Sequence, residues 1–370
     1  MPHHRKFDTL RGVAALVVFL SHVYELYWQR LLGEAAPLSR FWATAGRHAV
    51  LVFFLLSGYL IMLSIHDNAR RNAGFSAPEY LASRIARIHP PLVGALGIMA
   101  LVWLAIHLGD LPGKTDYGLP GDLYVMRPRY DIPLSRIATS LLMLGGLTGP
   151  NPVLWSLYFE FQLYVLALLV TLGLTAHGGA LRGACLVAAA LGIAVLTAHD
   201  AAFLFYALVW LIGAAAALGT LRGGAAIERR LRAPALGLAC VLAALGILQP
   251  GALAATGAHP GYAAQLAFCV PYAYLIFFFP GLDGILPAPL ARTGDFSYSL
   301  YVVHFPLLFL LLSLGQDWMQ HSYARTAALS ALAVAAIVPL AYAFARVFER
   351  PKKFRAALLA AFDGLKPGHA

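Results

Sequence analysis

The chain has 370 residues, of which 60% are hydrophobic and only 12% are charged. A soluble domain has about a quarter of its residues charged and cannot bury so much apolar surface at this length, so composition excludes an ordinary water-soluble fold. The formal net charge of +10 would suggest nucleic-acid binding in a soluble protein, but here the basic residues cluster between apolar runs, as topology signals do. We therefore predict an all-α, polytopic transmembrane helix bundle that lies in a lipid bilayer and binds no nucleic acid.

The N-terminal segment MPHHRKFDTLRG is basic and leads directly into an apolar run. That run is longer than the hydrophobic region of a signal peptide and has no clear cleavage site, so we predict an uncleaved first helix that starts in the cytoplasm. Further apolar runs of about 20 residues follow, each long enough to cross the hydrocarbon core as a helix. The predicted spans are residues 10–28, 48–66, 90–108, 154–175, 180–198, 202–220, 235–256, 262–283, 294–314 and 325–348.

One further apolar piece, residues 136–149, is short and rich in glycine. The loop charges decide whether it crosses, because Lys and Arg concentrate on the cytoplasmic side of a membrane protein. If 136–149 crossed, the arginines within 229–232 would fall outside, whereas without that crossing the basic clusters all face the cytoplasm. We therefore predict ten spans, both termini in the cytoplasm, and a re-entrant or interfacial segment at 136–149.

The longest polar insertion, residues 109–135, is punctuated by Pro, Gly and Asp and is predicted to be a loop on the outer face. A long ordered loop often carries function, so this one forms either part of an acceptor site or a cap over the helix bundle. The predicted domain organisation is a membrane domain over residues 1–350 and a short basic cytoplasmic tail over 351–370.

Titratable side chains at membrane depth are costly and therefore mark candidate functional positions. On the first helix, Arg11 and His22 are eleven residues apart. That spacing is about three turns and about 16 Å along the axis, and it places both residues on one face. Topology puts Arg11 near the cytoplasmic end and His22 deep in the bilayer. An imidazole there can take a proton from a hydroxyl near neutral pH; the alternative is a histidine that only hydrogen-bonds a neighbouring helix.

The fourth span opens with a polar stripe in VLWSLYFEFQLYVL. Ser156, Glu160 and Tyr164 are each one turn apart there. A buried glutamate needs a partner or a proton, so Glu160 is expected to orient His22, to stabilise the protonated imidazole, or to act as a base itself. The alternative is a packing ion pair between Glu160 and an arginine.

Two further clusters of polar side chains are candidate functional positions. Ser297, Tyr301 and His304 share one helical face near the middle of the ninth span, where His304 is either a second titratable group or a packed histidine. Just before the third span, Arg84 and Arg87 are neighbours on one face. Paired arginines at the cytoplasmic end of a helix bundle can bind phosphate groups. The alternative is that they only reflect the enrichment of Lys and Arg on the cytoplasmic side.

The sequence has no glycine-rich phosphate loop and no Gly-x-Ser-x-Gly elbow. The cysteines Cys185, Cys240 and Cys269 lie in apolar runs and share no metal-ligand spacing, so we predict no metal and no bound cofactor. Because no nucleophile is visible, base-assisted chemistry is favoured over a covalent intermediate with the protein.

Six motifs, in order and over nearly the whole chain, resemble the acyltransferase 3 family of membrane proteins. This family acylates sugars of cell-surface glycans, exopolysaccharides and some small molecules. The six are FDTLRGVAALVVFLSH with its Arg, ten residues and His, then VFFLLSGYLI, SRIARIHP, LWSLYFEFQLYV, GDFSYSLYVVHFPLL and FERP.

The resemblance implies roles for specific residues of this chain. It implies that His22 is the catalytic histidine, that Arg11 is its motif partner, and that Arg84 and Arg87 bind the acyl-CoA donor on the cytoplasmic side. The residues implied to line the central cavity are Trp155, Ser156, Glu160, Tyr301 and His304.

The second helix departs from the family pattern. Many relatives carry an aspartate just before the paired phenylalanines, where this chain has Leu51 and Val52. The upstream pair Arg47 and His48 is expected to supply part of that polarity and to contact the acceptor. No hydrolase-like domain follows the last span, so any second catalyst on the periplasmic side is expected to be a separate protein.

The residues and the resemblance together predict a bacterial inner-membrane O-acyltransferase. It would move an acyl group, most simply acetyl, from cytoplasmic acyl-CoA to a hydroxyl of a carbohydrate such as a surface polysaccharide or a lipid-linked glycan. Acyl-CoA is then a co-substrate, and the expected partners are the bilayer and the acceptor glycan or glycolipid. The alternative is a proton-coupled transporter or flippase for a glycan or lipid-linked sugar, in which the buried His and Glu form a proton relay.

Overall fold

The computed structural model describes residues 3–33, 35–115, 129–176, 178–223, 261–279, 281–282, 286 and 288–364. Within these ranges the chain is helical and contains no strand. Helix α1, His3–Val23, continues through a π-helical turn, Tyr24–Trp28, into α2, Gln29–Leu32. The helices that follow are α3 Pro37–Arg71, α4 Ala77–Leu108, α5 Leu134–Leu141, α6 Leu154–Thr175, α7 Gly179–His199 and α8 Ala201–Leu221. The last group is α9 Gly261–Ala273 with a π turn Tyr274–Phe278, a 3-10 segment Ala288–Phe296, α10 Ser297–Met319, α11 Tyr323–Phe348 and α12 Pro351–Gly364.

Eight helical segments among the described residues are long and apolar enough to cross a membrane, and they match eight of the ten predicted spans. The predicted span 235–256 lies outside the described residues. The predicted span 262–283 falls on α9 and its π turn, where Gln265–Phe278 is an apolar helix shorter than a full crossing. Helix α5 has only 8 residues, or about 12 Å, so it agrees with the prediction that 136–149 does not cross.

The chain forms two compact units. Unit 1 comprises Met1–Phe7, Leu51–Tyr80 and Gln162–Ala288. Unit 2 comprises Asp8–Val50, Leu81–Phe161 and Pro289–Ala370. The site residues predicted from the sequence belong to unit 2, except that Tyr164 of the polar stripe belongs to unit 1.

Unit 1 is packed through small residues at close helix crossings. A Cβ atom on Gly58 would overlap the carbonyl oxygen of Trp210, and one on Gly213 would overlap that of Leu55. Glycine at both positions therefore lets α3 and α8 approach at backbone distance, as is common between membrane helices. The rings of Tyr59 and Phe277 stack beside this crossing with centroids 4.2 Å apart.

In unit 2, α1 and α10 run side by side in the same direction. A Cβ on Gly12 would meet the backbone of Gly294 at 2.6 Å, so the two chains are in close contact at this end. Further along, the ring of Phe19 lies against His304, and the Tyr27 hydroxyl donates to the Leu308 carbonyl oxygen at 3.0 Å. Residue numbers rise together along both helices, which establishes the parallel direction.

Helix α4 also runs parallel to α10. The Tyr298 hydroxyl donates to the carbonyl oxygen of Ile88 at 3.1 Å, and Gly113, just beyond α4, lies against Phe309. Helices α1, α4 and α10 correspond to the first, third and ninth predicted spans, which the ten-span topology requires to point the same way. The observed directions agree with that requirement. Helix α11 packs on α10 after a short turn.

Candidate active site

His22 lies at the end of α1 and forms a hydrogen bond with a carboxylate of the adjoining π turn. Its Nδ1 is 2.7 Å from Oε2 of Glu25, and the two side chains are 21% and 35% exposed. A carboxylate oxygen accepts, so Nδ1 carries the shared proton and Nε2 of the neutral ring keeps its lone pair. The π turn contains Glu25, and such turns recur at functional sites because they alter the local helical register. The arrangement leaves Nε2 of His22 able to accept a proton, with Glu25 placed to stabilise the imidazolium that would result.

A second imidazole packs on the first. The rings of His22 and His304 are stacked with centroids 5.3 Å apart and an interplanar angle of 28°. Phe305 meets His22 edge-on, and Phe19 meets His304 edge-on, so aromatic rings fix the orientation of the pair. Nδ1 of His304 donates to the Leu300 carbonyl oxygen at 2.9 Å. Its Nε2 is buried and has no hydrogen-bond partner among the described residues, so it is an acceptor available to a substrate hydroxyl.

The Tyr301 hydroxyl begins a short hydrogen-bond chain into α6. It lies 2.6 Å from Oγ of Ser156, which lies 3.1 Å from the carbonyl oxygen of Val153. The carbonyl can only accept, so the Ser156 hydroxyl donates to it and Tyr301 must donate to Ser156. Both hydroxyl-bearing residues are buried. The proton of the Tyr301 hydroxyl is thereby committed to Ser156.

Charged residues gather around Arg11, which we call the charged cluster: Arg11, Arg87, Glu160 and Glu349. The charge of Arg11 interacts with those of the other three. Arg11 also lies 3.8 Å from Asp8 on its own helix. Two guanidinium groups with two carboxylates form a site whose cations could exchange a carboxylate for an incoming phosphate.

Glu349 of the charged cluster has a second contact. Its Oε1 accepts the backbone N–H of Ser299 at 2.6 Å, in the first turn of α10. The first N–H groups of a helix have no partner within the helix, and this carboxylate accepts a hydrogen bond from one of them. Its negative charge also interacts favourably with the positive end of the helix dipole. Glu349 therefore links the start of the helix that carries Tyr301 and His304 to the arginines of the charged cluster.

The structure brings most of the predicted site residues together, and of the two interpretations of Glu160 it favours the interaction with an arginine. The carboxylate that contacts His22 is Glu25, from the same helical segment, and Glu160 instead interacts with Arg11. Arg84 is half-buried, one turn before Arg87. The remaining predicted residues are placed as follows: Trp155 packs edge-on against Phe159, Arg47 is exposed and donates to Thr44, and His48 is half-buried.

Two residues of the site were not predicted from the sequence, Glu25 and Glu349. The three-residue spacing of His22 and Glu25 is a signal that could have indicated the first, because such residues are neighbours on a helix. Glu349 stands in the closing FERP motif, but nothing in the spacing connects it with Ser299. Among the described residues, no three His, Cys, Asp or Glu side chains gather as metal ligands would.

Comparison with known proteins places the chain in a family. The family model for the acyltransferase domain of the acyltransferase 3 type matches residues 4–346. The chain is 33% identical over 168 residues to an O-acetyl transferase of Shigella phage Sf6, covering 43% of this chain and 44% of that protein. It is 29% identical over 168 residues to nodulation protein 10 of Rhizobium leguminosarum bv. viciae, covering 44% and 43%.

A third relative is the acyltransferase MdmB of Streptomyces mycarofaciens, 28% identical over 159 residues, which cover 42% of this chain and 36% of that protein. The chain thus matches less than half the length of each of these relatives. No solved structure matches it. The family match over nearly the whole chain and the eight apolar helices of its described part together identify it as a multi-pass membrane protein of the acyltransferase 3 family.

Proposed function

We propose that the protein is a membrane-bound O-acyltransferase that moves an acetyl group from cytoplasmic acyl-CoA to a hydroxyl of a carbohydrate. The acceptor class is a cell-surface polysaccharide or a lipid-linked glycan, and the relative named O-acetyl transferase supports the acyl group. The observation that carries the proposal is the His22–Glu25 pair at 2.7 Å, because a carboxylate-oriented imidazole is the group that such a reaction requires.

The reaction follows from the state of His22. With Nδ1–H directed at Glu25, Nε2 takes the proton of the acceptor hydroxyl as its oxygen attacks the thioester carbonyl carbon. The C–O bond forms, the C–S bond breaks, and the proton passes from the imidazolium to the thiolate sulfur. The products are the ester and free CoA, so atoms and charge balance without a metal or an oxidant. Glu25 stabilises the transient imidazolium.

The other residues around His22 hold the reactants. Nε2 of His304 accepts a hydrogen bond from a second, non-reacting hydroxyl of the acceptor sugar and so turns the reacting hydroxyl toward the thioester. The side chain of Tyr301, held by the hydrogen bond from its hydroxyl to Ser156, contacts the bound substrates. These contacts serve positioning, whereas proton transfer belongs to His22.

The charged cluster binds the donor. Arg11 and Arg87, with Arg84 one turn away, receive the phosphate groups of CoA. Arg11 and His22 are about 16 Å apart along α1, so an extended pantetheine arm can lie between them with the thioester beside His22. The proposed orientation, which the loop charges support, has the arginines and both termini on the cytoplasmic side of the inner membrane. Transfer to a periplasmic acceptor would then involve a separate periplasmic partner.

The test uses the purified protein in lipid nanodiscs with labelled acetyl-CoA and a glycan acceptor. We expect transfer of label to glycan in the wild type and a fall of about 10²- to 10⁴-fold in His22→Ala, the range for loss of a general base. His321→Ala, an exposed histidine at the turn after α10, is the matched control and should keep full activity. Full turnover in His22→Ala would contradict the proposal. Proton-coupled glycan flux in liposomes without thioester turnover would favour a transporter instead.

A further inference from the structure

Helix α10 contains a proline two residues after His304. Pro306 lies inside the helix Ser297–Met319 and has no N–H to donate. In an unbroken helix that N–H would bond the carbonyl oxygen four residues earlier, which belongs to Val302. The sequence thus creates an unsatisfied acceptor in a buried helix, and such a group needs a partner from elsewhere.

The partner is a side chain from the segment before α6. Nδ2 of Asn151 donates to the carbonyl oxygen of Val302 at 2.9 Å. Asn151 is fully buried, and its amide also approaches Sδ of Met99 in α4 at 3.8 Å. Its own backbone carbonyl accepts the N–H of Leu154, the first residue of α6. One asparagine therefore fixes the break in α10 and the start of α6 at the same time.

Both attached segments carry active-site groups. Val302 lies between Tyr301 and His304, and Ser156 follows Asn151 by five residues. The hydrogen bond from Tyr301 to Ser156, at 2.6 Å, spans the same two helices. A rotation of α10 about its proline would therefore change the position of His304 against His22 and stretch the contact with Ser156.

We propose that Asn151 is a positioning residue for acyl transfer: its amide replaces the helix hydrogen bond that Pro306 removes and holds Tyr301 and His304 in register with α6. The proposal rests on the proposed function, since the quantity that it affects is the rate of acyl transfer. Asn151 touches no reacting atom in this role. Its effect falls on the alignment of the acceptor hydroxyl, whereas donor binding at the charged cluster is separate.

The decisive experiment is a double-mutant cycle, because an alanine at 306 restores the missing N–H. Asn151→Ala should lower kcat about tenfold, the order expected for one buried carbonyl left without a partner, and leave KM for acetyl-CoA unchanged. In the background of Pro306→Ala, the same Asn151→Ala change should lower kcat by less than about threefold. Comparing ratios within each background makes the result independent of any effect of Pro306→Ala alone.

The matched control is Pro339→Ala, a second helix-interior proline, in the neighbouring helix α11. Its removal restores no hydrogen bond to Val302, so Asn151→Ala should remain as damaging in that background as in the wild type. An equal loss with and without Pro306, a loss expressed in KM for acetyl-CoA, or full kcat in Asn151→Ala would each overturn the proposal. If Asn151→Ala does not fold, the double variant still decides, since it should fold and have a kcat within about threefold of that of Pro306→Ala. A wild-type protein that transfers no acetyl group would refute the proposed function rather than this inference.

Discussion

Replacing Glu25 by glutamine tests the proposed proton transfer at its most specific contact. The glutamine side chain has the same shape and still accepts the Nδ1–H of His22, so the geometry of the 2.7 Å contact is preserved. What it loses is the negative charge that favours the imidazolium. The substitution therefore separates orientation of the ring from stabilisation of its protonated form.

The size of the effect follows from the environment of the pair. A hydrogen bond to a charged group contributes about 1.5–3 kcal/mol, which corresponds to a factor of about 10 to 150 in rate if it is expressed in the transition state. Glu25 is 35% exposed, so water screens part of the charge. We therefore expect Glu25→Gln to lower kcat about 10- to 30-fold, and Glu25→Ala to lower it further because the ring is no longer oriented.

The assay is label transfer from acetyl-CoA under saturating donor, with donor affinity measured in parallel. KM for acetyl-CoA should stay within about twofold of wild type, since Glu25 contacts the base and not the donor phosphates. Glu79→Gln removes another carboxylate from an ion pair, that with Arg71, and should leave kcat unchanged. If Glu25→Gln kept the wild-type kcat, His22 would not pass through an imidazolium stabilised by this carboxylate.

Three other predictions concern the surroundings of the site. Glu349→Gln keeps an oxygen that accepts the N-terminal N–H of α10 and should change mainly KM for acetyl-CoA. Glu349→Ala should also lower kcat, and equal effects of the two variants would contradict the role of Glu349 at the start of α10. Gly12→Ala places a Cβ against Thr293 and should lower the Tm, while Gly97→Ala, with open space around it, should not; the reverse order would contradict the packing. Burial raises the pKa of Tyr130, and its hydroxyl has no partner among the described residues, so Tyr130→Phe should keep or raise the Tm by about 1–3 °C; a clear decrease would reveal a partner for that hydroxyl.

The helical architecture was predictable because the thickness of the bilayer sets the length of a membrane crossing, and hydropathy locates runs of that length in the sequence. Eight spans appear where the apolar runs place them, and the short helix Leu134–Leu141 stops where glycines and prolines follow. The relative directions of the helices were also predictable, because loop charges indicate how many crossings separate two helices and direction alternates with each crossing. The parallel course of α1 and α10 reflects that alternation.

The pairing of side chains was less accessible from the sequence. His22 was identified by its depth in an apolar helix, but the choice between Glu25 and Glu160 as its partner depends on tertiary distances and on a π turn. A proline inside the helix predicts that the Val302 carbonyl oxygen lacks its helical donor, but it does not indicate which group donates instead. The observed donor, Asn151, is 151 residues away along the chain. Long-range contacts of this kind leave no periodic signal.

The central claim is that this protein esterifies a carbohydrate hydroxyl by means of His22. The most direct measurement is the mass of the cell-surface glycans after deletion of the gene, followed by complementation with the wild type or with His22→Ala. We predict that deletion removes one acetyl group from a glycan repeat, that the wild type restores it, and that His22→Ala, present at equal abundance, does not. An unchanged glycan mass after deletion, or full restoration by His22→Ala, would contradict the account.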